Sequence, residues 1–285
     1  MIPDLFHFVY LTGTGQGSRP FGFSHYLAIK SALVVNRPSA VYLHYDQEPA
    51  GYWWDQLRPH LRLRPVTAPT TFAGNPLHHV AHQSDIVRLQ ALHEFGGVYL
   101  DTDVLCVRSF RPFYRYPFVM GEQLNPDTAY LSVGSYARRV WEKLRTGRGD
   151  IGRLKGLGNA VMMAEPKALF IQHWLDRYCT FRSRGRDEFW SEHSVQKPLE
   201  LSRQYPWLIQ ILSGKHFHFP LHDPHGIHLL FETDTPFPQA YAHHLWESYT
   251  WGQYLRDLTP ERLRFPRTTF ARLAWDVWSA PLTDR

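Results

Sequence analysis

The chain has 285 residues, of which 44% are apolar and 20% are charged, and its formal net charge is +5. This composition supports a buried core and excludes an intrinsically disordered chain. Lysine and arginine are too scattered for a nucleic-acid-binding surface, so we expect no nucleic-acid partner, while the mild positive balance suits an anionic ligand.

No run of eighteen apolar residues is present, and the first residues lack the basic start and apolar stretch of a secretion signal. The two cysteines, Cys106 and Cys179, are too few for a disulfide framework and predict reduced thiols. These features together predict a cytoplasmic protein, with contact at the inner face of a membrane left open.

Alternating strand and helix patterns run through the first hundred residues. The predicted strands lie at 5–11, 40–45, 61–66 and 98–100, and the predicted helices at 24–35, 51–59 and 77–95. This alternation predicts an α/β fold with a mostly parallel central sheet. A glycine-rich loop at 12–17 follows the first strand, and ligands of such sheets bind at the carboxyl ends of the strands.

The second half of the chain is less regular. Strands are predicted at 118–122 and 160–164 and a helix at 166–182. Proline, histidine and aromatic residues dominate 205–250, which predicts long ordered loops over a site. With no repeat, linker or clear boundary, we expect a single domain over 1–285.

Two carboxylates follow the strand at 98–100. Asp101 and Asp103 would repel each other unless a cation or a base neutralises them, so a divalent metal is the economical interpretation. Asp85 and Arg88 lie three apart on the preceding helix and share a face. A carboxylate acceptor beside a guanidinium donor suits a polyhydroxylated ligand, although a surface salt bridge has the same spacing.

The runs Ser84-Asp85-Ile86-Val87-Arg88 and Gly96-Gly97-Val98-Tyr99-Leu100-Asp101-Thr102-Asp103 resemble the sugar-binding region of glycosyltransferase family 32. That family includes the initiating α-1,6-mannosyltransferases and is similar to the catalytic domain of the large clostridial glucosylating toxins. The resemblance covers about 2–13 and 79–113. It implies a GT-A (Rossmann-like) fold, a UDP- or GDP-sugar donor, Mn²⁺ or Mg²⁺, retention of anomeric configuration and a glycan or glycoconjugate acceptor.

The same resemblance implies a role for each matching residue. Asp101 would contact the donor and, with Asp103, ligate the metal, while Asp85 and Arg88 would hold sugar hydroxyls; these four form the implied catalytic set. The implied substrate-binding set adds Tyr10, in place of a tryptophan that stacks on the nucleobase, with Leu11, Asn159, Ser248 and Tyr249. The nucleotide-sugar-binding half would be 1–125 and the acceptor-side half 126–285, with an irregular C-terminal region.

The late run His243-His244-Leu245-Trp246-Glu247-Ser248-Tyr249 resembles the family's His-His-x-x-x-Ser-Trp ending, with tyrosine in place of tryptophan. It implies His244 as the third metal ligand, with His243 as the second choice. A separate group of histidines, at 216, 218, 222, 225 and 228, has spacings that match no closed zinc site. We expect those rings in loops or in an acceptor groove.

Two other functions remain open at this stage. A haloacid-dehalogenase-like phosphatase also carries Asp-x-Asp after an apolar strand, followed by a residue such as Val104, but its motif normally opens the fold. A catalytically inactive sugar-binding protein is the second alternative. Residues 261–278 mix arginine with aromatic side chains, which fits either a helix on anionic lipid or, as we favour, a helix packed on the domain.

Overall fold

The structure is a computed structural model that describes residues 1–13, 21–146, 152 and 154–282. Of the glycine-rich loop predicted at 12–17, the segment 14–17 therefore lies outside the described residues. Within the described ranges, no helix is both long and apolar enough to cross a lipid bilayer. Cys106 is buried, Cys179 is exposed, and both are free thiols.

Strands and helices alternate along the chain. The strands are β1 (Leu5–Tyr10), β2 (Ala40–Tyr45), β3 (Arg62–Pro65), β4 (Thr71–Phe72), β5 (Asn75–Pro76), β6 (Gly97–Leu100), β7 (Val104–Cys106), β8 (Phe118–Leu124), β9 (Leu154–Ala164), β10 (Gln210–Leu212) and β11 (Ala242–His244). The helices are α1 (Phe23–Ser31), α2 (Tyr52–Leu57), α3 (Val80–Phe95), α4 (Pro126–Ala129), α5 (Val133–Thr146), α6 (Leu169–Asp176), α7 (Lys197–Gln204), α8 (Pro224–Phe231), α9 (Glu247–Thr250), α10 (Pro260–Leu263) and α11 (Thr269–Ser279).

A seven-stranded sheet in the order β10-β8-β9-β6-β1-β2-β3 forms the centre of the fold. β3, β2, β1 and β6 are parallel neighbours, β9 is antiparallel to β6 and β8, and β10 is parallel to β8. The predicted α/β fold with a mostly parallel sheet is therefore confirmed. The chain order reverses between β1 and β6, and open α/β sheets bind their ligands at such a point.

Gly97 sets the start of β6. Its φ of 103° lies in the left-handed region, which residues with a Cβ rarely adopt. A Cβ at this position would also overlap the backbone carbonyl of Leu5 on the neighbouring strand β1. Gly97 therefore lets β6 pair closely with β1, which places Asp101 at the strand's carboxyl end.

Apolar side chains cover both faces of the sheet, as the buried strand β6 shows. Val98 and Leu100 belong to the core on the side of α1, α2 and α11, whereas Tyr99 belongs to the core on the side of α3, α6 and α7. Successive side chains of a strand point to opposite faces, so β6 contributes to both cores. Burial on two sides holds the end of this strand in a defined position.

The predicted elements of the first half agree with the structure apart from their ends. The helix predicted at 77–95 begins at Val80, because the His79 side chain caps it by accepting the backbone N–H of Ala81. The helix predicted at 51–59 is α2 followed by a 3₁₀ turn at Arg58–His60.

The second half departs further from the sequence expectations. The strand predicted at 160–164 is the end of the longer β9, and the helix predicted at 166–182 is α6 with a following 3₁₀ turn. The prediction of loops over 205–250 was wrong where β10, α8, β11 and α9 form. Helix α5 was not predicted at all. The short strands β10 and β11 depend on long-range pairing with β8 and β7, which a local pattern does not encode.

Residues 261–278 form two helices, α10 and α11, separated by a break that contains Pro266. Phe270 is buried, and the Trp278 ring lies 5.3 Å from Phe23 and 5.7 Å from Trp53. Lys30 Nζ donates to the Trp278 carbonyl at 2.8 Å. The apolar side of α11 therefore packs on α1 and α2, which is the favoured of the two sequence expectations.

Candidate active site

A cleft of about 380 Å³ opens at the carboxyl ends of β1 and β6. The sequence-predicted residues that line it are Tyr10, Leu11, Arg88, Asp101, Asp103, Asn159, His244, Ser248 and Tyr249. Asp85 is not among its lining residues in the described part of the chain. The fold thus brings together side chains that are up to 239 positions apart, from Tyr10 to Tyr249.

Asp101 is held by two donors at the end of β6. Its Oδ1 accepts Arg88 Nη1 at 2.8 Å and the Tyr99 hydroxyl at 2.6 Å. Tyr99 and Asp101 are two apart along an extended chain, so their side chains share a face. Burial raises the pKa of Tyr99 well above its usual value; Arg88 opposes this shift and Asp101 adds to it, so the phenol stays protonated as a donor.

Asp103 and His244 meet across the second, two-stranded sheet. Antiparallel pairing of β11 with β7 sets His244 opposite Val104, directly after Asp103. Asp103 Oδ2 accepts the backbone N–H of Glu247 at 2.8 Å and lies 3.2 Å from His244 Nε2. Burial opposes charge on both side chains, but their attraction prevails: the pKa of Asp103 is lowered and that of His244 is raised.

Asp101, Asp103 and His244 each offer a ligand atom, and these atoms all lie within 4.8 Å of one another. No other group of three or more His, Cys, Asp or Glu side chains in the described ranges lies so close together. Nδ1 of His244 is buried and makes no hydrogen bond to a described residue. Two carboxylates and an imidazole with an unused ring nitrogen are a donor set that fits a divalent cation.

His243 does not share this position. It is buried, and its ring lies 5.1 Å from that of Phe237. Burial lowers its pKa to about 4, which keeps the ring neutral. Because neighbouring residues of β11 point to opposite faces, only His244 of the pair reaches the cleft.

Of the five histidines at 216, 218, 222, 225 and 228, only His218 and His222 line the cleft. His216 stacks on Tyr241 at 5.5 Å, and His228 Nδ1 lies 2.9 Å from Glu232. Among the described residues, these five histidines belong to no group of three side chains close enough to share a metal ion.

Arg88 connects the acids beneath the cleft. Its guanidinium lies 3.4 Å from Asp85 Oδ1, donates to Asp101 and to the Asn159 carbonyl, and lies over the Tyr99 ring at 4.6 Å. Only 8% of each of the Arg88 and Asp85 side chains is exposed. The pair is therefore a buried ion pair and not the surface salt bridge that the spacing also allowed.

Asp85 lies behind Arg88 and beside strand β9. Its Oδ1 accepts the Asn159 side-chain amide at 2.8 Å. Burial raises the pKa of Asp85, a shift that Arg88 opposes. The carboxylate thus orients Arg88 and Asn159, both of which line the cleft; direct contact of Asp85 with a sugar stays a prediction.

Tyr10 and Leu11 line the cleft at the end of β1. The Tyr10 ring meets Phe21 at 5.7 Å and His25 at 6.0 Å, both edge-on. Burial, then the nearby Glu247 and Asp46 carboxylates, raise its pKa to about 12. The phenol is therefore neutral at physiological pH and presents an aromatic face or edge to a ligand.

A series of rings leads outward from the acid and histidine cluster. His244 lies 4.0 Å from Trp246, Trp246 lies 5.1 Å from His222, and His222 lies 4.7 Å from the exposed Tyr249. Ser248 is exposed at the same rim. This series gives the cleft a continuous aromatic border.

Three residues that build the cleft, Tyr99, His25 and Trp190, have no role predicted from the sequence. Tyr99 could have been found, since the period of two along β6 places it beside Asp101. His25, whose Nε2 lies 3.2 Å from Glu247 Oε1, has no local signal. Trp190 lines the cleft against His82, with ring centres 4.6 Å apart, and only tertiary packing reveals it.

Comparison with known proteins identifies the class. Residues 45–129 match the family described as a glycosyltransferase sugar-binding region containing a DXD motif, and Asp101-Thr102-Asp103 is that motif here. Sheet order and motif together define a GT-A glycosyltransferase. Over 279 residues the chain is 34% identical to Glucan organizing enzyme 1 of Cryptococcus neoformans, covering 96% of this chain and 70% of the relative.

The chain belongs to this family of DXD-containing glycosyltransferases. Family membership argues against the alternative function of a haloacid-dehalogenase-like phosphatase. Among solved structures, the glycosyltransferase GlyE of Streptococcus pneumoniae aligns with a TM-score of 0.51 at 12% identity, covering 99% of this chain and 62% of GlyE. The bifunctional glycosyltransferase WbbM aligns with a TM-score of 0.51 at 8% identity, covering 98% and 50%. At these identities the structures support the fold alone.

Proposed function

We propose that the protein is a retaining, metal-dependent glycosyltransferase that moves a sugar from a UDP- or GDP-sugar to a hydroxyl group of a glycan or glycoconjugate. The observation that carries this proposal is the cluster of Asp101, Asp103 and His244, whose ligand atoms lie within 4.8 Å of one another. The cluster borders a cleft between β1 and β6, where the strand order of the sheet reverses and where nucleotide ligands of such folds bind.

The donor set favours Mn²⁺ over Mg²⁺, because Mg²⁺ prefers an all-oxygen shell whereas the cluster includes an imidazole. When bound, such an ion offsets the negative charge that develops on a departing diphosphate. Asp103 Oδ2 and His244 Nε2 lie 3.2 Å apart, and on binding a cation they would exchange that contact for a shared ligand. Ser248 and Tyr249, at the rim, would contact the diphosphate.

The half of the chain at 1–125 would hold the donor. Tyr10 would lie against the nucleobase, with Leu11 beside it, since both line the cleft at the end of β1. Asp101 and Arg88 would bind the ribose and the transferred sugar. Asp85 would keep the Arg88 fork and the Asn159 amide in place, and a sugar that reaches deeper would contact Asp85 itself.

The half at 126–285 would supply the acceptor side. Asn159 and Trp190 line the cleft from this half, and an aromatic ring suits the apolar face of a sugar. The curated relative is named for glucan organisation, which supports a polysaccharide or glycoconjugate acceptor. Retention by front-face attack needs no protein nucleophile; the acceptor hydroxyl would pass its proton to an oxygen of the departing phosphate.

A thermal-shift panel tests donor and metal together. Unfolding would be followed with UDP- and GDP-sugars, each with Mn²⁺ and with a chelator. A donor at a hundred times its Kd adds about 2.7 kcal/mol to stability. At about 2.1 cal/mol/K per residue, a chain of 285 residues has an unfolding entropy near 0.6 kcal/mol/K, so Tm should rise by about 4–5 °C.

Asp103→Asn should remove the Mn²⁺-dependent part of that shift and abolish transfer. Asp257→Asn is the matched control, because Asp257 is an exposed acid in a surface pair with Arg256. Donor binding that is equal with and without metal would contradict the proposed cation site. Binding without transfer or donor hydrolysis would instead support the inactive sugar-binding alternative, and the anomeric configuration of the product, read by NMR, decides retention.

A further inference from the structure

Helix α5 (Val133–Thr146) differs from its neighbours in that it has no buried residue. Val133 is 87% exposed, Trp141 63% and Leu144 79%. Large apolar side chains seldom lie so open together on one helix of a water-soluble surface. The helix therefore presents exposed apolar side chains at Val133, Trp141 and Leu144, whereas Tyr136 and Val140 between them are half-buried.

The apolar residues of α5 share one side. Val133, Ala137, Val140 and Leu144 follow one another at intervals of four, three and four, which is the spacing of a single helical stripe. Tyr136 and Trp141 extend this stripe on either side. At 1.5 Å per residue, the 14-residue helix offers an apolar stripe about 21 Å long.

Basic residues border the stripe on both sides. Arg138 and Arg145 lie beside Trp141, and Arg139 and Lys143 lie on the opposite border. Against one acid, Glu142, these four cations leave a net charge of +3. Arg139 contacts Asp127 at 3.8 Å, while the other three cations form no ion pair with a described residue.

This arrangement distinguishes a lipid surface from a protein groove. A helix that lies in a membrane interface inserts its apolar stripe, and the flanking arginine and lysine heads reach back to the phosphates. Tryptophan favours the headgroup level. The Arg145 guanidinium lies 5.4 Å from the Trp141 ring centre, so the border cation and the aromatic anchor already lie at the same edge.

We propose that α5 is a membrane-surface helix that binds anionic phospholipid through its apolar stripe and its basic borders. The lipid contact considered for 261–278 is thereby placed on α5, because the apolar side of α11 packs on α1 and α2. It does not depend on the transferase reaction, because lipid binding is measured without donor or acceptor.

The test is flotation of the full chain with two sets of vesicles, one of phosphatidylcholine alone and one in which about a third is phosphatidylglycerol. The wild-type protein should float with the anionic vesicles only, and less so as salt increases. Arg138→Gln combined with Arg145→Gln should weaken binding by roughly fivefold per cation removed, about 25-fold in all.

Trp141→Ser combined with Leu144→Ser removes the apolar anchors and should weaken binding by tenfold or more, on the order expected for two exposed apolar groups that become buried. Trp207→Ser and Phe265→Ser are matched controls, because these side chains are 70% and 77% exposed elsewhere on the surface. Both controls should float like the wild type.

Three results would overturn the proposal. The first is no flotation, or flotation that the α5 variants leave unchanged. The second is a lower Tm of Trp141→Ser/Leu144→Ser, which would mean that the stripe packs within the protein. The third is a vesicle-free dimer, seen by size-exclusion chromatography, that the same variant dissociates, because a second copy would then cover the helix.

Discussion

Arg88 provides a quantitative test of how the cleft floor is held together. Its guanidinium is the counter-charge of Asp85 at 3.4 Å and of Asp101 at 2.8 Å, in a site where only 8% of the arginine side chain is exposed. Arg88→Met keeps most of the apolar stem but leaves the Asp85 and Asp101 carboxylates without their positive counter-charge. Removal of one partner from a buried ion pair costs about 3–5 kcal/mol.

The expected shift in Tm follows from the chain length. With an unfolding entropy near 0.6 kcal/mol/K for 285 residues, a loss of about 3–5 kcal/mol lowers Tm by roughly 5–8 °C. The measurement is thermal unfolding of the ligand-free protein in the presence of a chelator. Arg58→Met is the control: Arg58 pairs with Glu48 at 2.6 Å, but on the exposed surface, so Tm should change little.

The sign of the pH dependence adds a second check. Burial raises the folded-state pKa of Asp85 above its unfolded value, and Arg88 opposes that shift. A group with a raised folded pKa stabilises the fold below its unfolded pKa and loses that contribution as pH rises through the folded pKa. Without Arg88 the folded-state pKa of Asp85 rises further. The Arg88→Met variant should therefore lose more stability relative to wild type at neutral pH than at about pH 5.

A second substitution separates charge from packing. Arg88→Met combined with Asp85→Asn removes the uncompensated acid and should recover part of the lost Tm. The reasoning is refuted if Arg88→Met unfolds at the wild-type temperature, or if its destabilisation does not depend on pH.

Three further predictions concern residues that shape the sheet and the cleft floor. Gly97→Ala forces a Cβ at φ 103° against the Leu5 carbonyl, so soluble yield should fall sharply and any folded protein should melt several degrees lower; a wild-type melting curve would contradict this. Burial first, then their mutual repulsion, lowers the pKa of His7 to about 3, and burial lowers that of His44 to about 4, from 6.5. As pH falls, the rings gain protons in the unfolded chain before they do in the folded protein. Stability measured by denaturant titration should therefore decline below pH 6.5 by up to about 1.4 kcal/mol per pH unit per ring. In the variant with glutamine at both positions, stability should fall less steeply over the same acid range. Asn159→Ala removes the amide that donates to a buried carboxylate at 2.8 Å; a loss of about 1–3 kcal/mol should lower Tm by roughly 2–5 °C, and an unchanged Tm would show that this bond contributes nothing net.

Local pattern was sufficient for the elements that carry the motif. The strand pattern at 5–11, the helix that ends at Gly96 and the strand at 98–100 are continuous segments whose periodicity is set by neighbouring residues. Each of them appears in the structure within a few residues of its expected ends. Because Asp101 and Asp103 directly follow such a strand, their place at its carboxyl end was also predictable.

Spatial neighbours from distant parts of the chain were harder to predict. The sequence pointed to His244 ahead of His243 by resemblance, but the reason for that choice is the pairing of β11 with β7, which turns one ring to the cleft and buries the other. Trp190 and His25 reach the cleft from segments with no local signal. Helix α5 has a clear apolar spacing once its bounds are known, yet that spacing alone does not say whether the face is covered.

From the amino-acid pattern alone followed the order of β1, β2, β3 and β6 with the helices between them, the paired carboxylates and the resemblance to a sugar-transferase family, but not the short strands β4 and β5. The position of Asp85 behind Arg88, the approach of His244 to Asp103, the inward packing of α11 and the exposed apolar side chains of α5 appear only in the folded chain. The physical reason is that periodicity and turn chemistry act over a few residues, whereas burial and charge pairing depend on which distant segments the sheet brings together.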